Sequence, residues 1–549
     1  MTSFHLFRPN WKNKRIIEVD FYVKGWAEHE QIVYDAGKLL DLVADTFNAF
    51  EINQLKAFTH HLNGNFTILI HSKDATYLCS DKMRCFPVMY FQYDSAEYVT
   101  DDIDAFLHQC PEVKLNISTP VIEQYLCSNF VFGPYTIYEH VYCVQPGEIV
   151  ELVNGKYFRY PYFQRAPKMD NDSPRDISLE SAVLDAIFLK ATERMIKSAP
   201  HVHNWIIPLS GGHDSRMIAN YFYKLGVKNV ICYTYGIKGS ETISEKVAEA
   251  LGYAWHYIEY TADIARETLQ NKALDIYRRY AFNGVSVPHL QDFIAVNCLI
   301  KKGIVQSEDI FVPGHALEVL TGSHLKNNVE RCDSVQSALF FIKHHFNGFG
   351  YARRSDNLLN HVLSIIEKYN IKANQISEYF DWQERQSKFI VNSVRVYEYF
   401  GFDWRIPQWD NEVVNYWENI GFNYRYGRKL YFAIEKDFLL VDELKNIPFS
   451  NDIKAKVPVK TRIASLMPLR LKKMLRQAGY KKSDYFDSNG NHLFYFHLQE
   501  SIKDYQAGFL MPAILKKYLS HYPKGTKLCS FESNSISTLL IIKSLFNNK

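Results

Sequence analysis

The sequence predicts a chain of mixed α/β and α+β class: a strand-rich first part, a parallel α/β unit behind it, and a helical C-terminal extension. Three observations carry that expectation. Trp205-Ile206-Ile207, the polar stretch Pro208–Arg216 and the apolar-periodic Met217–Phe222 read as strand, tight turn and helix. Short apolar runs at Trp205–Ile207, Val230–Thr234, Ala254–Glu259 and Ile310–Val312 alternate with helical patterns, which implies a parallel sheet covered by helices. Before residue 165 the chain instead shows short β-type runs split by turn residues.

In order along the chain, Phe66–His71, Ala75–Cys79 and Val88–Gln92 are expected strands. Glu148–Val153 and Lys156–Tyr160 flank Asn154-Gly155, the pair that a tight hairpin turn favours. Pro, Asn and Asp cluster between Arg165 and Asp176, a linker composition. The expected domains are therefore 1–165, 176–450 and 451–549. In the last of these, the stretch between Asp452 and Asp484 holds no acid but many cations, among them Lys454, Lys456, Lys460, Arg470, Lys472, Lys473 and Arg476. Leucines interleave, so it reads either as a solvated amphipathic segment or as a surface for anionic lipid headgroups.

Composition narrows the function classes. The chain has 549 residues, 47% of them apolar, enough for more than one core. A formal net charge of +3 is too small to imply nucleic acid as partner. The 9 cysteines are scattered without a Cys-x-x-Cys pair, which argues against a disulfide framework, a structural zinc site and Cys-based thiolation. Neither a signal peptide nor an apolar run of the roughly 20 residues that span a bilayer is seen. A cytoplasmic protein is expected, with the basic stretch as its one means of reaching the inner membrane face.

The turn Ser210-Gly211-Gly212-His213-Asp214-Ser215 is the most informative segment. A Gly-rich turn at a helix start gathers backbone N–H groups around one point and binds anions. Asp214 fits such a nest if a divalent cation stands between it and a phosphate chain. No Gly-Lys-Ser/Thr follows, so this is not a Walker loop.

Ser-Gly-Gly-x-Asp-Ser resembles the loop of enzymes that cleave ATP to AMP and pyrophosphate. Further segments extend the likeness: Tyr233-Thr-Tyr-Gly236 with Lys238–Glu241, Pro313–Ser323, Asp403–Asp410, and in the first part Leu62–Phe66, Asp81–Arg84 and Tyr98–Asp102. Together, in this order, they make the chain similar to the asparagine synthetase family over nearly its whole length. The resemblance implies an N-terminal Ntn-type αββα sandwich, a degenerate glutaminase-like domain, followed by a pyrophosphate-loop synthetase domain. It implies an ATP- and Mg2+-dependent ligase that adenylates a carboxylate and hands it to an amine. Ser210, Gly211, Gly212, Asp214 and Ser215 would then hold pyrophosphate, with Thr234, Gly236 and Gly314 along the nucleotide. Asp214 and Glu318 would share the magnesium, with Glu318 standing where the family has Asp; a solvated helix acid is the other reading of Glu318. Asp403 takes the place of a family Glu in the amine step, with a salt bridge to Arg405 as its alternative. The family's late lysine has Lys445 as nearest match, with Lys454 further on.

The N-terminus departs from the family. Its glutaminases expose a Cys at position 2, whereas this chain begins Met1-Thr2-Ser3. Nitrogen from ammonia or another amine, not from its own glutaminase, is therefore expected. Pro288–Asp292, Pro313–His315 and Trp404–Asp410 resemble the branch linked to bacterial surface-polysaccharide (O-antigen) biosynthesis, whose substrate is a uronic acid. His289, Gln291, Asp292 and His315 suit sugar hydroxyls, and each equally suits a structural hydrogen bond. The expected partners are small molecules: ATP, a carboxylate and ammonia or an amine. Peripheral membrane contact and a homodimer are left open. So are two other functions: a ligase for another carboxylate–amine pair, including ring closure as in β-lactam synthetases, and a catalytically silent assembly partner.

Overall fold

The structure, a computed structural model, describes residues 2–47, 51–236, 238–239, 241–261, 263–264, 267–268, 271–326, 332–345, 356–450 and 541. The basic stretch and nearly all of the expected extension from 451 onward lie outside the described residues.

The first part is an αββα sandwich. Its strands are β1 (Thr2–His5), β2 (Lys12–Ile16), β3 (Val19–His29), β4 (Ile32–Tyr34), β5 (Asn63–His71), β6 (Thr76–Ser80), β7 (Met89–Tyr93), β8 (Ala96–Thr100), β9 (Tyr142–Cys143), β10 (Glu148–Val153) and β11 (Lys156–Pro161). One sheet runs β11-β10-β6-β5-β3-β2, with β4 on β3; the other runs β1-β8-β7-β9. Side chains alternate between faces along a strand. So Ile68 and Ile70 of β5 pack on helices α1 (Ala36–Thr46) and α2 (Ile52–His61), while Leu69 between them meets Val88, Tyr90 and Val99 of the second sheet. Helix α3 (Ile103–Gln109) covers the far face through Phe106 against Met89 and Phe91. The expected hairpin is present, with φ of 50° at Asn154 and 74° at Gly155. Such a turn needs left-handed residues at both positions.

Beyond Asp176, helix α4 (Ile177–Lys197) precedes β12 (Trp205–Pro208), α5 (His213–Lys224), β13 (Val230–Gly236), α6 (Thr242–Leu251) and β14 (Ala254–Glu259). Then come α7 (Lys272–Phe282), α8 (Gln291–Lys301), β15 (Ile310–Phe311), α9 (Leu317–Leu320) and β16 (Asp403–Trp404). The five strands form one parallel sheet in the order β14-β13-β12-β15-β16. The sequence pattern gave no sign of β16, because two residues carry no periodicity.

The expected linker is strapped down. Arg165 is buried and pairs with Glu378 at 2.9 Å, while Gly421 N–H donates to the Asn171 carbonyl at 3.1 Å. The two parts also share one core, which runs from Met83, Cys85 and Phe86 through Phe130–Phe132 into Trp205, Trp404 and Trp417. Charged groups are buried between them. Glu398 accepts from the Trp404 indole at 3.2 Å and lies within 3.8 Å of Lys24 and 3.5 Å of Arg8, with Arg395 closer still. Burial would raise its acidity constant, but Arg395, Lys24 and Arg8 outweigh that and hold it at about 2. Among the described residues no helix is long and apolar enough to cross a membrane.

Candidate active site

Because β12, β13 and β15 run parallel, their carboxyl ends share one edge, where open α/β sheets place their ligands. The residues after β12 turn sharply there. Ser210 N–H donates to Ser215 Oγ at 3.0 Å, the two hydroxyls stand 3.0 Å apart, and Gly212 N–H donates to Ser210 Oγ at 3.2 Å. Gly212 is the N-cap of α5, so no capping side chain occupies the first-turn amides and the helix dipole faces the loop.

The loop after β15 closes on this turn. A Cβ built on Gly314 would lie 2.7 Å from the Ser215 nitrogen, so only glycine permits the approach. Asp214 Oδ2 accepts the Glu318 N–H at 3.1 Å, Oδ1 accepts from Arg428 Nη2 at 3.2 Å, and the Asp214 carbonyl accepts from Gln408 Nε2 at 2.7 Å. The Asp214 side chain is only 14% exposed. Burial pushes its acidity constant up to about 6, Arg428 works against that, and Glu318 adds to it. The Glu318 carboxylate is 46% exposed and lies 3.6 Å from His324 Nε2, whose Nδ1 is 2.6 Å from Asp381. The described residues hold no cluster of three metal-binding side chains. The Asp214 and Glu318 carboxylates stand in the first turns of α5 and α9, and both are oxygen donors of the kind a hard divalent cation takes.

Residues of the 428–450 segment fix the loop from outside. His213 Nδ1 meets Glu435 at 2.7 Å and its ring stacks on Phe449 with centroids 4.0 Å apart. Arg216 donates to the Ile447 and Pro448 carbonyls at 2.8 and 2.7 Å, and Ser450 N–H donates to the Gly211 carbonyl at 2.9 Å. Arg428, Gln408, Glu435 and Phe449 were missed in the sequence, where only Gly427 beside Arg428 marks a turn.

Within β13, Thr234 Oγ1 donates to the Leu209 carbonyl at 2.6 Å and accepts from the Trp255 indole at 3.1 Å. Its hydroxyl thus ties β13 to the first loop. The Gly236 carbonyl accepts from Tyr257 Oη at 2.7 Å, and its φ of 146° turns the chain away. His315 follows Gly314 and pairs through Nε2 with Ser393 Oγ at 2.8 Å, while His289 Nε2–H donates to the Phe389 carbonyl at 2.7 Å. Burial lowers both imidazoles to about 4, so both are neutral at pH 7. Their partners lie in or next to the widened helix Asp381–Ile390, a π geometry that recurs at functional sites. The Gln291 carbonyl accepts from Tyr260, and Asp292 accepts from Tyr397 at 2.9 Å.

The structure brings together Ser210, Gly211, Gly212, Asp214, Ser215, Thr234, Gly236, Gly314, His315 and Glu318 at the carboxyl edge. It does not bring Asp403 there. Asp403 pairs in register with Ile310, which lies beside Trp205, so it sits at the amino edge, roughly 16 Å along the strands from Ser210. It forms the salt bridge with Arg405 at 2.8 Å and lines a separate cavity of about 360 Å³ with Trp26, Phe86 and Ser198. Lys445 is held by Asp442 of its own short helix at 2.7 Å. Thr2 Oγ1 donates to Glu97 at 2.7 Å and accepts from Thr76 at 3.1 Å.

Residues 48–163 match the glutamine amidotransferase domain family. The match lies inside the αββα sandwich. No curated protein sequence matches the chain. Among solved structures, the glutamine phosphoribosylpyrophosphate amidotransferase from B. subtilis is 13% identical over 57% of this chain, at a TM-score of 0.19, and the chain spans only 59% of its length. An NH3-dependent NAD synthetase from Campylobacter jejuni is 13% identical over 40% of this chain and 96% of its own, at a TM-score of 0.22. A glutamine-dependent NAD(+) synthetase from Cytophaga hutchinsonii is 10% identical over 56% and 61%, at 0.20. Scores this low add nothing to the fold, which rests on the strand order above.

Proposed function

We propose that the chain is an ATP- and Mg2+-dependent amide-forming ligase that adenylates a carboxylate and transfers ammonia or an amine to it. The convergence of the β12 and β15 loops on Asp214, with Thr234 and Gly236 beside them, carries this reading. First-turn amides of α5, the Ser210 and Ser215 hydroxyls and the close backbone of Gly211 would take pyrophosphate. Asp214 and Glu318 would hold magnesium, which when bound neutralises phosphate charge. Carboxylate activation needs that charge stabilised and water kept from the adenylate. His315, neutral and bonded to Ser393, would face the acceptor with His289 and Gln291, and a uronic acid of a surface-polysaccharide precursor is the substrate class proposed. Action in the cytoplasm belongs to the same reading.

Incubation with ATP, Mg2+, ammonium and a nucleotide-linked uronic acid should release pyrophosphate and give the amide by mass. Release with aspartate but with no uronic acid would reject the sugar assignment. A second reading, a catalytically silent assembly partner, is favoured by Asp403 at the far edge and by the Asp442-bound Lys445. Absence of ATP–pyrophosphate exchange under every condition would decide for it.

A further inference from the structure

We propose that Arg428 is the anion-binding cation of the Ser210–Ser215 loop, contacting the β- and γ-phosphates that leave as pyrophosphate. This rests on the reading of that loop as a polyphosphate site. It supplies what Lys445, held by Asp442, does not.

The guanidinium reaches the loop from the far side of the chain. Gly427 and Arg428 both have left-handed backbones, at φ of 67° and 59°, and this reversal starts the helix Lys429–Ile434. The Arg428 side chain is 10% exposed, with Nη2 3.2 Å from Asp214 Oδ1. Its plane stands over the Tyr431 ring at 4.5 Å and near Phe432 at 5.2 Å. Arginine carries five N–H donors in a fixed fork. Here one meets Asp214, and among the described residues Nε is buried without a hydrogen-bond partner. A buried donor left empty is costly, and a guanidinium is suited to two-pronged phosphate contacts. A phosphate oxygen between Arg428 and the first turn of α5 would satisfy Nε.

Position also favours this assignment. Asp214 lies in the first turn of α5, so a cation beside it stands where the free amides and the helix dipole already favour negative charge. Arg216, the other arginine of the loop, donates to the Ile447 and Pro448 carbonyls and lies over Phe449 at 4.0 Å, directed away from the turn.

The test is calorimetric binding of inorganic pyrophosphate and of AMP, each with Mg2+, to the full chain and to Arg428→Gln, Arg428→Lys and Lys445→Ala. AMP lacks the β- and γ-phosphates, so it reports on the integrity of the site alone. The expected result is at least a tenfold loss of pyrophosphate affinity in Arg428→Gln with AMP affinity within twofold. Arg428→Lys should recover part of the loss, and Lys445→Ala should bind as the parent does. Equal losses for both ligands would reduce Arg428 to a structural role. Unchanged pyrophosphate binding in Arg428→Gln, with binding abolished by Gly314→Val, would overturn the assignment and leave the loop reading intact. If the parent chain binds neither pyrophosphate nor ATP, the loop reading falls and the assignment with it.

Discussion

Gly314 lies against Ser215 so tightly that a methyl group on it would stand 2.7 Å from the Ser215 nitrogen and 3.0 Å from the Asp214 carbonyl carbon. Two loops from different strands are thereby held at backbone contact, and Asp214 and Glu318 meet as a result. Gly314→Ala should separate them. We expect a stability loss of about 1–3 kcal/mol, as for overpacking elsewhere, and at least a tenfold loss of pyrophosphate affinity. Thermal melting and calorimetry check the two separately. Parent-like affinity would show that loop contact is not needed.

The protonation of Asp214 gives a pH signature. Its constant sits at about 6, above the ordinary 3.8, because burial penalises the charge. Divalent binding needs the carboxylate, so Mn2+ affinity should be flat above pH 7 and fall below pH 6. The stability effect has the opposite sign. A raised folded-state constant means that the native state holds the proton more tightly, so this group favours folding as the pH drops from 6 towards 4. Relative to Asp214→Asn, the parent should therefore gain melting temperature over that interval while losing Mn2+ affinity. Paired melting and titration series measure both.

Asp403 and Arg405 occupy the amino edge, so their loss should separate from adenylation. Asp403→Asn should leave ATP–pyrophosphate exchange within twofold. Arg405→Ala removes bonds to Ser198 Oγ at 2.9 Å, to Asp403 and to the Trp404 carbonyl at 2.9 Å. A loss of about 1–3 kcal/mol in denaturant unfolding is expected from the buried groups left unpaired. A collapse of exchange in Asp403→Asn would return Asp403 to the chemistry.

Glu398 is the shared counter-ion of Arg8, Lys24 and Arg395. Glu398→Gln would leave Lys24 and Arg395 in the core without their carboxylate, Arg8 keeping Asp102 at 3.7 Å, and a broken buried pair costs about 3–5 kcal/mol. Its constant is lowered from the ordinary 4.5 to about 2. Its stabilisation is therefore full above pH 4.5 and lost as the pH falls through 2. Acid unfolding followed by tryptophan fluorescence should show that limb in the parent and a flatter one in the variant.

What could be read in the sequence was what is local. Ser210–Ser215 lies within one turn, so its strand, glycines and acid announce their geometry together. The β10–β11 hairpin was legible for the same reason, as were β5 and β6 as separate strands. Arg428, 214 positions from Asp214, and Gln408, 194 positions away, carry no pattern that ties them to it. Asp403 shows another limit. Resemblance orders segments along the chain, but only the register of Asp403 with Ile310 reveals at which end of a strand a residue falls. The polar composition of 165–176 suggested a loose connection, yet Arg165 finds Glu378 more than two hundred residues later.

The common core that joins Phe86 and Phe132 to Trp404 bears on how the chain can be divided. Excising the sandwich would not yield a smaller working unit. It would bare an apolar wall and leave Glu398 and Asp410 without their partners Lys24 and Asn63. One domain can in this way be indispensable as masonry for the rest, and destabilising alleles in it should behave as folding lesions of the whole.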